Sequence, residues 1–412
     1  MGEKNTRGKK TLVSASIAII LAILLLIILM GFPAREQQPV KPVSASPLES
    51  YTGFALKFSL MSGLGERNTA VSPFSVYPAL LMLSEGASGT TRTEILSTLG
   101  LSSVTDAREW FKSSSERFLS VSDPAKTYIA NSLWVREGTP IRSEYMGVLK
   151  EYYNAEEYFF SDPTSATNRI NTWVYDKTQG MIDKILETLD QASIIVLVNT
   201  VYFKSNWTTP FDTTYKDVFL SPKGPVETDF LSGDVQAVTV ETDEYTAVML
   251  GYKGTSIKFV ALMPKQSQLK DYMDTMTSKK LLQILEALLS GKEEKVHLAM
   301  PKFDVDSGIL ELRPLLQQMG IRSAFNPEQA DLSAMLDTTH MTGKPFVSNV
   351  FHRARVKVDL YGTEAAAATA IVIKVTAIPL QLKTVKLDKP FAFFLVDPET
   401  KAILFAGSYV QP

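Results

Sequence analysis

Hydrophobic and polar positions change their rhythm twice along the chain. The first stretch, Thr11–Phe32, holds an unbroken apolar run from Ile17 to Met30. As a helix, about 22 residues at about 1.5 Å each match a bilayer core of about 30 Å. Pro33–Pro47 (PAREQQPVKPVSASP) then has several prolines and no hydrophobic period, and reads as an extended tether. From Leu48 the apolar positions Tyr51, Phe54, Ala55, Phe58 and Met61 recur at helical spacing. Further helical patterns cover Pro73–Leu83, Thr93–Leu99 and Asn168–Gly180, with Gly86 and Gly89 as breaks. Strand-like runs follow at Tyr128–Val135, Ser193–Phe203, Ala247–Tyr252, Ser256–Met263 and Lys295–Met300. Others are Arg353–Leu360, Thr384–Leu387, Phe391–Val396 and Ala402–Ser408, with helical patterns at Ser278–Leu289 and Leu310–Met319. Helices dominate early and strands late, without βαβ alternation, so the predicted class is α+β.

Gly362–Pro379 stands apart because it is small, apolar and β-branched, with almost no charge. In steps of two, Thr363, Ala365, Ala367, Thr369, Ile371, Ile373 and Val375 form one face suited to burial. Glu364, Ala366, Ala368, Ala370, Val372, Lys374 and Thr376 form the other. The stretch reads as a strand, yet its alanine-rich first half fits a helix better. Such a segment can be exposed in one state and become a central strand in another.

Composition narrows the functional classes. Lys+Arg 42 against Asp+Glu 44 leaves a net charge of −2, which argues against a nucleic-acid-binding surface covering the molecule. With no cysteine there is no disulfide, thiol nucleophile or cysteine zinc site. Lys4, Arg7, Lys9 and Lys10 precede the apolar run, so the flank is expected in the cytoplasm and the rest outside. A cleaved signal peptide is the rival reading, but no small-residue cleavage site directly follows the run.

Enzyme chemistry finds little footing. His297, His340 and His352 form no metal-binding pair, and no nucleophile elbow or phosphate-binding glycine loop is present. Glu364 reads as a solvated charge that protects an apolar strand from aggregation. Asn206-Trp207-Thr208 matches a glycosylation acceptor beside a buried run, where use is not expected. Asn199 lies within an apolar strand and must find a hydrogen-bond partner there.

With these residues laid out, Leu48–Pro412 resembles the serpin family. The resemblance rests on Asn68 with Ser72-Pro73-Phe74-Ser75, on Asn171-Thr172-Trp173-Val174, and on Val198-Asn199-Thr200-Val201-Tyr202-Phe203-Lys204 with Trp207. Met300-Pro301-Lys302-Phe303, Met319-Gly320-Ile321, Lys389-Pro390-Phe391 and the hinge-like Gly362-Thr363-Glu364-Ala365-Ala366-Ala367-Ala368-Thr369 extend it. It implies three β-sheets, about nine helices and an exposed reactive-centre loop. It also implies a suicide inhibitor of serine peptidases, whose cleaved loop inserts into the main sheet and traps the acyl-enzyme. Counted from Gly362, the resemblance puts the reactive bond at Thr376–Ala377. By position, Ser72, Ser75, Asn199 and His352 resemble the shutter cluster that controls sheet opening.

Elastase-like or subtilisin-like targets suit Val375, Thr376 and Ala377, and cleavage at Lys374 would suit a trypsin-like one. Cysteine peptidases are further targets to consider. Where the family commonly has acidic residues before Gly362, one pairing with the lysine matching Lys302, this chain has Leu360 and Tyr361. Packing is expected to replace that ion pair. The full expectation is a microbial-type, membrane-anchored monomer: basic segment 1–10, anchor 11–32, linker 33–47 and an outward-facing inhibitor domain 48–412. No cofactor or metal is expected. The alternatives are a non-inhibitory carrier or chaperone of the same family and a hydrolase in its own right.

Overall fold

Ser46 opens the first helix, its side chain accepting the Glu49 N–H at 3.2 Å while the Glu49 carboxylate accepts the Ser46 N–H at 3.0 Å. This reciprocal capping box satisfies two of the helix's unpaired donors. The computed structural model describes residues 46–337, 339, 341, 344–348, 350–363 and 382–412. The expected anchor, Thr11–Phe32, lies outside them. No helix among the described residues is long and apolar enough to cross a membrane. Pro47, assigned from sequence to the linker, is the first residue of the helix. Proline's fixed φ and missing N–H suit that position.

The helices among the described residues are α1 (Pro47–Met61), α2 (Pro73–Gly86), α3 (Gly89–Thr98), α4 (Thr105–Leu119), α5 (Ser143–Tyr153), α6 (Pro163–Lys177), α7 (Leu269–Asp274), α8 (Ser278–Leu289) and α9 (Arg313–Met319). The strands are β1 (Thr69–Val71), β2 (Lys126–Arg136), β3 (Ala155–Phe160), β4 (Ile195–Asn206), β5 (Thr213–Ser221), β6 (Gly224–Glu241), β7 (Tyr245–Gly251), β8 (Lys258–Pro264) and β9 (Glu294–Pro301). They continue with β10 (Phe303–Asp306), β11 (Leu310–Glu311), β12 (Phe351–His352), β13 (Arg355–Val358), β14 (Gly362–Thr363), β15 (Thr384–Lys386), β16 (Phe391–Val396) and β17 (Ile403–Tyr409).

Three sheets result among the described residues, so the expected α+β class stands. A nine-stranded sheet runs β1-β17-β16-β8-β7-β6-β9-β15, with β5 paired to β6. A six-stranded main sheet runs β10-β13-β14-β4-β2-β3, and β11 pairs with β12. Every residue of β16 and β17 is buried, which explains their near-continuous hydrophobic sequences. Helix α2 is buried on nearly every side and fills the space behind β4, as a helix with apolar residues on most of its faces must. On the opposite, outer face of the main sheet, Ile170, Trp173 and Val174 of α6 pack with Trp134, Val196 and Val198 in a cluster of their own.

Two of the boundaries that differ from the sequence reading bear on the site. The run Arg353–Leu360 contributes only Arg355–Val358 as a strand, because Asp359–Gly362 forms a turn in which the Asp359 N–H donates to the Gly362 carbonyl at 3.0 Å. Leu310–Met319 divides into β11 and α9, since Leu310 and Glu311 pair with His352 and Phe351 before Arg313 and Pro314 open the helix.

Candidate functional site

The turn after β13 sends the chain back between β13 and β4. There Gly362 and Thr363 pair with Asn206 and Ser205, while Thr363 also faces Val358. Both pairings are antiparallel, so β14 is a two-residue strand set between neighbours that run parallel to each other. Only glycine fits at 362: a Cβ there would lie 2.0 Å from the Ser205 carbonyl oxygen. Thr363 is 2% exposed, and its hydroxyl shares a hydrogen bond with the Tyr252 hydroxyl. Burial pushes the Tyr252 phenol well above its ordinary pKa, so it keeps its proton.

Aromatic packing fixes that tyrosine. Tyr252 stacks on Trp207 at 4.6 Å between centroids and meets Phe203 edge-on at 5.0 Å. Trp207 in turn holds the turn: its N–H donates to the Tyr361 carbonyl at 2.7 Å, and its indole N–H to the Asp359 carbonyl at 3.0 Å. The Phe211 N–H donates to the Leu360 carbonyl at 3.1 Å, and Leu360 packs against the main core. The turn is therefore secured by packing and backbone hydrogen bonds. Lys302 is exposed and has no carboxylate partner among the described residues. Of the predicted hinge, Gly362 and Thr363 are described. Glu364, Ala365, Ala366, Ala367, Ala368 and Thr369, and the bond Thr376–Ala377, lie outside the described residues.

The four residues expected to form a polar cluster do meet beneath the main sheet. Ser72 caps α2, its hydroxyl accepting the Ser75 N–H at 3.1 Å and donating to the Leu404 carbonyl at 2.6 Å. The Ser72 N–H donates to His352 Nε2 at 3.1 Å, which places the imidazole proton on Nδ1. Burial lowers the His352 pKa to about 3, so the ring is neutral. Ser75 Oγ lies 3.5 Å from the Asn199 carbonyl. The Asn199 amide donates to Asn131 Oδ1 directly across the β2–β4 ladder, and Asn131 Nδ2 donates to the Tyr153 carbonyl at 2.6 Å. The cluster thus ties α1's neighbour α2, both central strands and β12 together.

Sequence reasoning missed Asn131 and Tyr252. A second buried amide in the strand Tyr128–Val135 was a usable signal for the first. Nothing local distinguishes Tyr252, whose partner is 111 residues away.

A serine–histidine–aspartate arrangement does occur elsewhere. Ser232 Oγ lies 3.2 Å from His297 Nε2, and His297 Nδ1 lies 3.0 Å from Asp234 Oδ1. Ser232 is 8% exposed within its sheet, in ladders with both β5 and β9. Among the described residues no pair of free N–H groups converges on it as acyl transfer requires, and the nearby Asp234 N–H is taken by the Asp212 carboxylate at 3.2 Å.

Residues 49–412 match the family model described as serpin (serine protease inhibitor), and the chain belongs to the serpin family. Members of this family are mostly protease inhibitors rather than enzymes. An uncharacterized serpin-like protein of Thermococcus kodakarensis is 33% identical over 388 residues, covering 90% of this chain and 86% of that one. Among solved structures, the thermophilic serpin tengpin in its native state superposes with a TM-score of 0.78 at 27% identity, over 89% of this chain and 94% of that one. Thyroxine-binding globulin in complex with thyroxine gives 0.76 at 25% identity, over 89% and 99%.

Proposed function

We propose that this serpin is a suicide inhibitor of extracytoplasmic serine peptidases, with Thr376–Ala377 as the bond attacked. The observation that carries the reading is β14, which lies in antiparallel register with both β13 and β4. A freed loop needs only to continue that ladder downward. The residues next in line, Ala365–Ala368, are small enough to enter a packed sheet. Ile371, Ile373 and Val375 then share a face with Thr363, and full burial of each contributes about 1.5–3 kcal/mol. The resting fold is a kinetic trap whose persistence is a rate. The peptidase supplies the chemistry: its serine forms an ester with the loop carbonyl, and this protein contributes no proton transfer.

Ser72, Ser75, Asn199 and His352 act in this reading as the shutter that holds β4 against its neighbours. Thr11–Phe32 acts as a membrane anchor, with the inhibitor domain a monomer on the outer side. Elastase-like or subtilisin-like peptidases are the preferred partners, on the small residues Val375, Thr376 and Ala377.

The test is incubation of the full chain with elastase-like, subtilisin-like and trypsin-like serine peptidases, followed by denaturing gels and mass spectrometry of the released peptide. A denaturant-resistant adduct with a peptide beginning at Ala377 is expected. A peptide beginning at Val375 would move the bond to Lys374–Val375. Cleavage by all three without an adduct would replace this reading with a non-inhibitory carrier.

A further inference from the structure

The outer face of the main sheet carries paired charges along most of its length. Arg353 holds Asp306 at 2.8 Å, Arg355 holds Asp304 at 2.7 Å, and Lys177 holds Glu156 at 2.5 Å. At the head of the same face the pairing stops. Lys126 and Lys204 stand directly opposite each other in the β2–β4 ladder. Thr363, flanked by Ser205 and Val358, turns inward to Tyr252. The next residues on each flank, Lys204 and Lys357, therefore face outward, with Lys126 beside Lys204.

None of these three lysines has an ion-pair partner among the described residues. The acid across from Lys357 is Asp304, and both of its oxygens are engaged by Arg355. Asp359, two residues after Lys357, accepts the Tyr361 and Gly362 N–H groups. The row spans about 5 Å from Lys126 to Lys204 and about 10 Å from Lys204 to Lys357 at the backbone, from one and two strand spacings. Just below it, Tyr128 and Tyr202 lie 5.8 Å apart, and Tyr128 is 37% exposed.

Like charges directly opposite in a ladder destabilise a sheet, and a row of three with no carboxylate partner among the described residues concentrates positive potential at one spot. We propose that Lys126, Lys204 and Lys357 form a binding site for multivalent phosphate- or sulfate-class anions. One oxyanion group lies between Lys126 and Lys204, and a longer chain of such groups reaches Lys357. Because Lys204 is on β4 and Lys357 on β13, a bridging anion ties the two strands and resists their separation. The site belongs to the resting fold and does not depend on the inhibitory reading.

The test is titration calorimetry and thermal unfolding of the full chain in non-ionic detergent, at ionic strength fixed with sodium chloride. Orthophosphate, tripolyphosphate and sucrose octasulfate are the probes. Tripolyphosphate is expected to bind at least tenfold more tightly than orthophosphate and to raise the unfolding temperature. Lys126→Gln and Lys204→Gln should each weaken both phosphates at least fivefold, whereas Lys204→Arg should retain them. Lys357→Gln should weaken tripolyphosphate and leave orthophosphate unchanged. Binding of sucrose octasulfate with the same lysine dependence would support a sulfated saccharide as source, and binding of tripolyphosphate alone a condensed phosphate. Equal affinity in a Lys126→Gln/Lys204→Gln variant, or an equal shift from chloride alone, would overturn the proposal.

Discussion

The Ser72 N–H donates to His352 Nε2 at 3.1 Å, so the start of α2 is held by a histidine that must remain neutral. Burial holds its pKa at about 3, against an ordinary value of 6.5. Between those values the unfolded chain binds a proton that the folded chain does not, so stability falls as pH drops through this window. The loss is up to about 1.4 kcal/mol per pH unit. Burial alone would raise the pKa values of Asp306 and Asp397, but Arg353 and Arg117 hold both carboxylates below their usual range, so the loss they contribute comes only below about pH 4. Urea unfolding at pH 6.5 and 5.0 should show the native chain losing about 1.6 kcal/mol more than His352→Gln. Equal losses would refute a neutral His352.

The Asn131–Asn199 pair makes a second prediction. Asn131→Ala removes the partner of the Asn199 amide and also frees the Tyr153 carbonyl. Asn199→Ala removes only the first of these contacts. Buried polar groups left unpaired cost about 1–3 kcal/mol each. Asn131→Ala is expected to be the more destabilising by chemical denaturation. The reverse order would show that the cluster is organised from β4 rather than from β2.

At the head of the main sheet, side-chain size decides whether β14 keeps its place. Gly362→Val puts carbon where the Ser205 carbonyl stands and should expel both β14 residues. Thr363→Arg places a charge where the native side chain is buried against Tyr252. Both variants should remain cleavable by a target peptidase while the fraction caught as adduct falls at least fivefold. Tyr252→Phe removes one hydrogen bond, worth about 1 kcal/mol, and should change that fraction much less. Unchanged trapping in Thr363→Arg would separate β14 from the trapping step.

Much of this arrangement was legible in the sequence because it rests on strong local patterns. Apolar runs gave β4, β16 and β17, helical spacing gave α1 and α8, and the bounds of α8 match the observed Ser278–Leu289. The hairpin of β5 and β6 was missed, since Thr213–Glu241 mixes charged and apolar residues on a sheet with exposed Val218, Leu220 and Val226. Helices α4 and α5 were missed too: their interiors alternate buried aromatics with charges and lack a side-chain N-cap. The polar cluster was found by resemblance to a family pattern. Its connection through Asn131, and the meeting of Thr363 with Tyr252, depend on strand register, which local periodicity does not specify.

The most direct test of the central claim is thermal unfolding before and after a single cut in the loop. If β14 is the start of a strand that the freed loop completes, burial of Ile371, Ile373 and Val375 should raise the unfolding temperature by about 10 °C or more. Thr363→Arg, cut at the same bond, should show little of that rise. An unfolding temperature that stays the same or falls after cleavage of the native chain would contradict loop insertion.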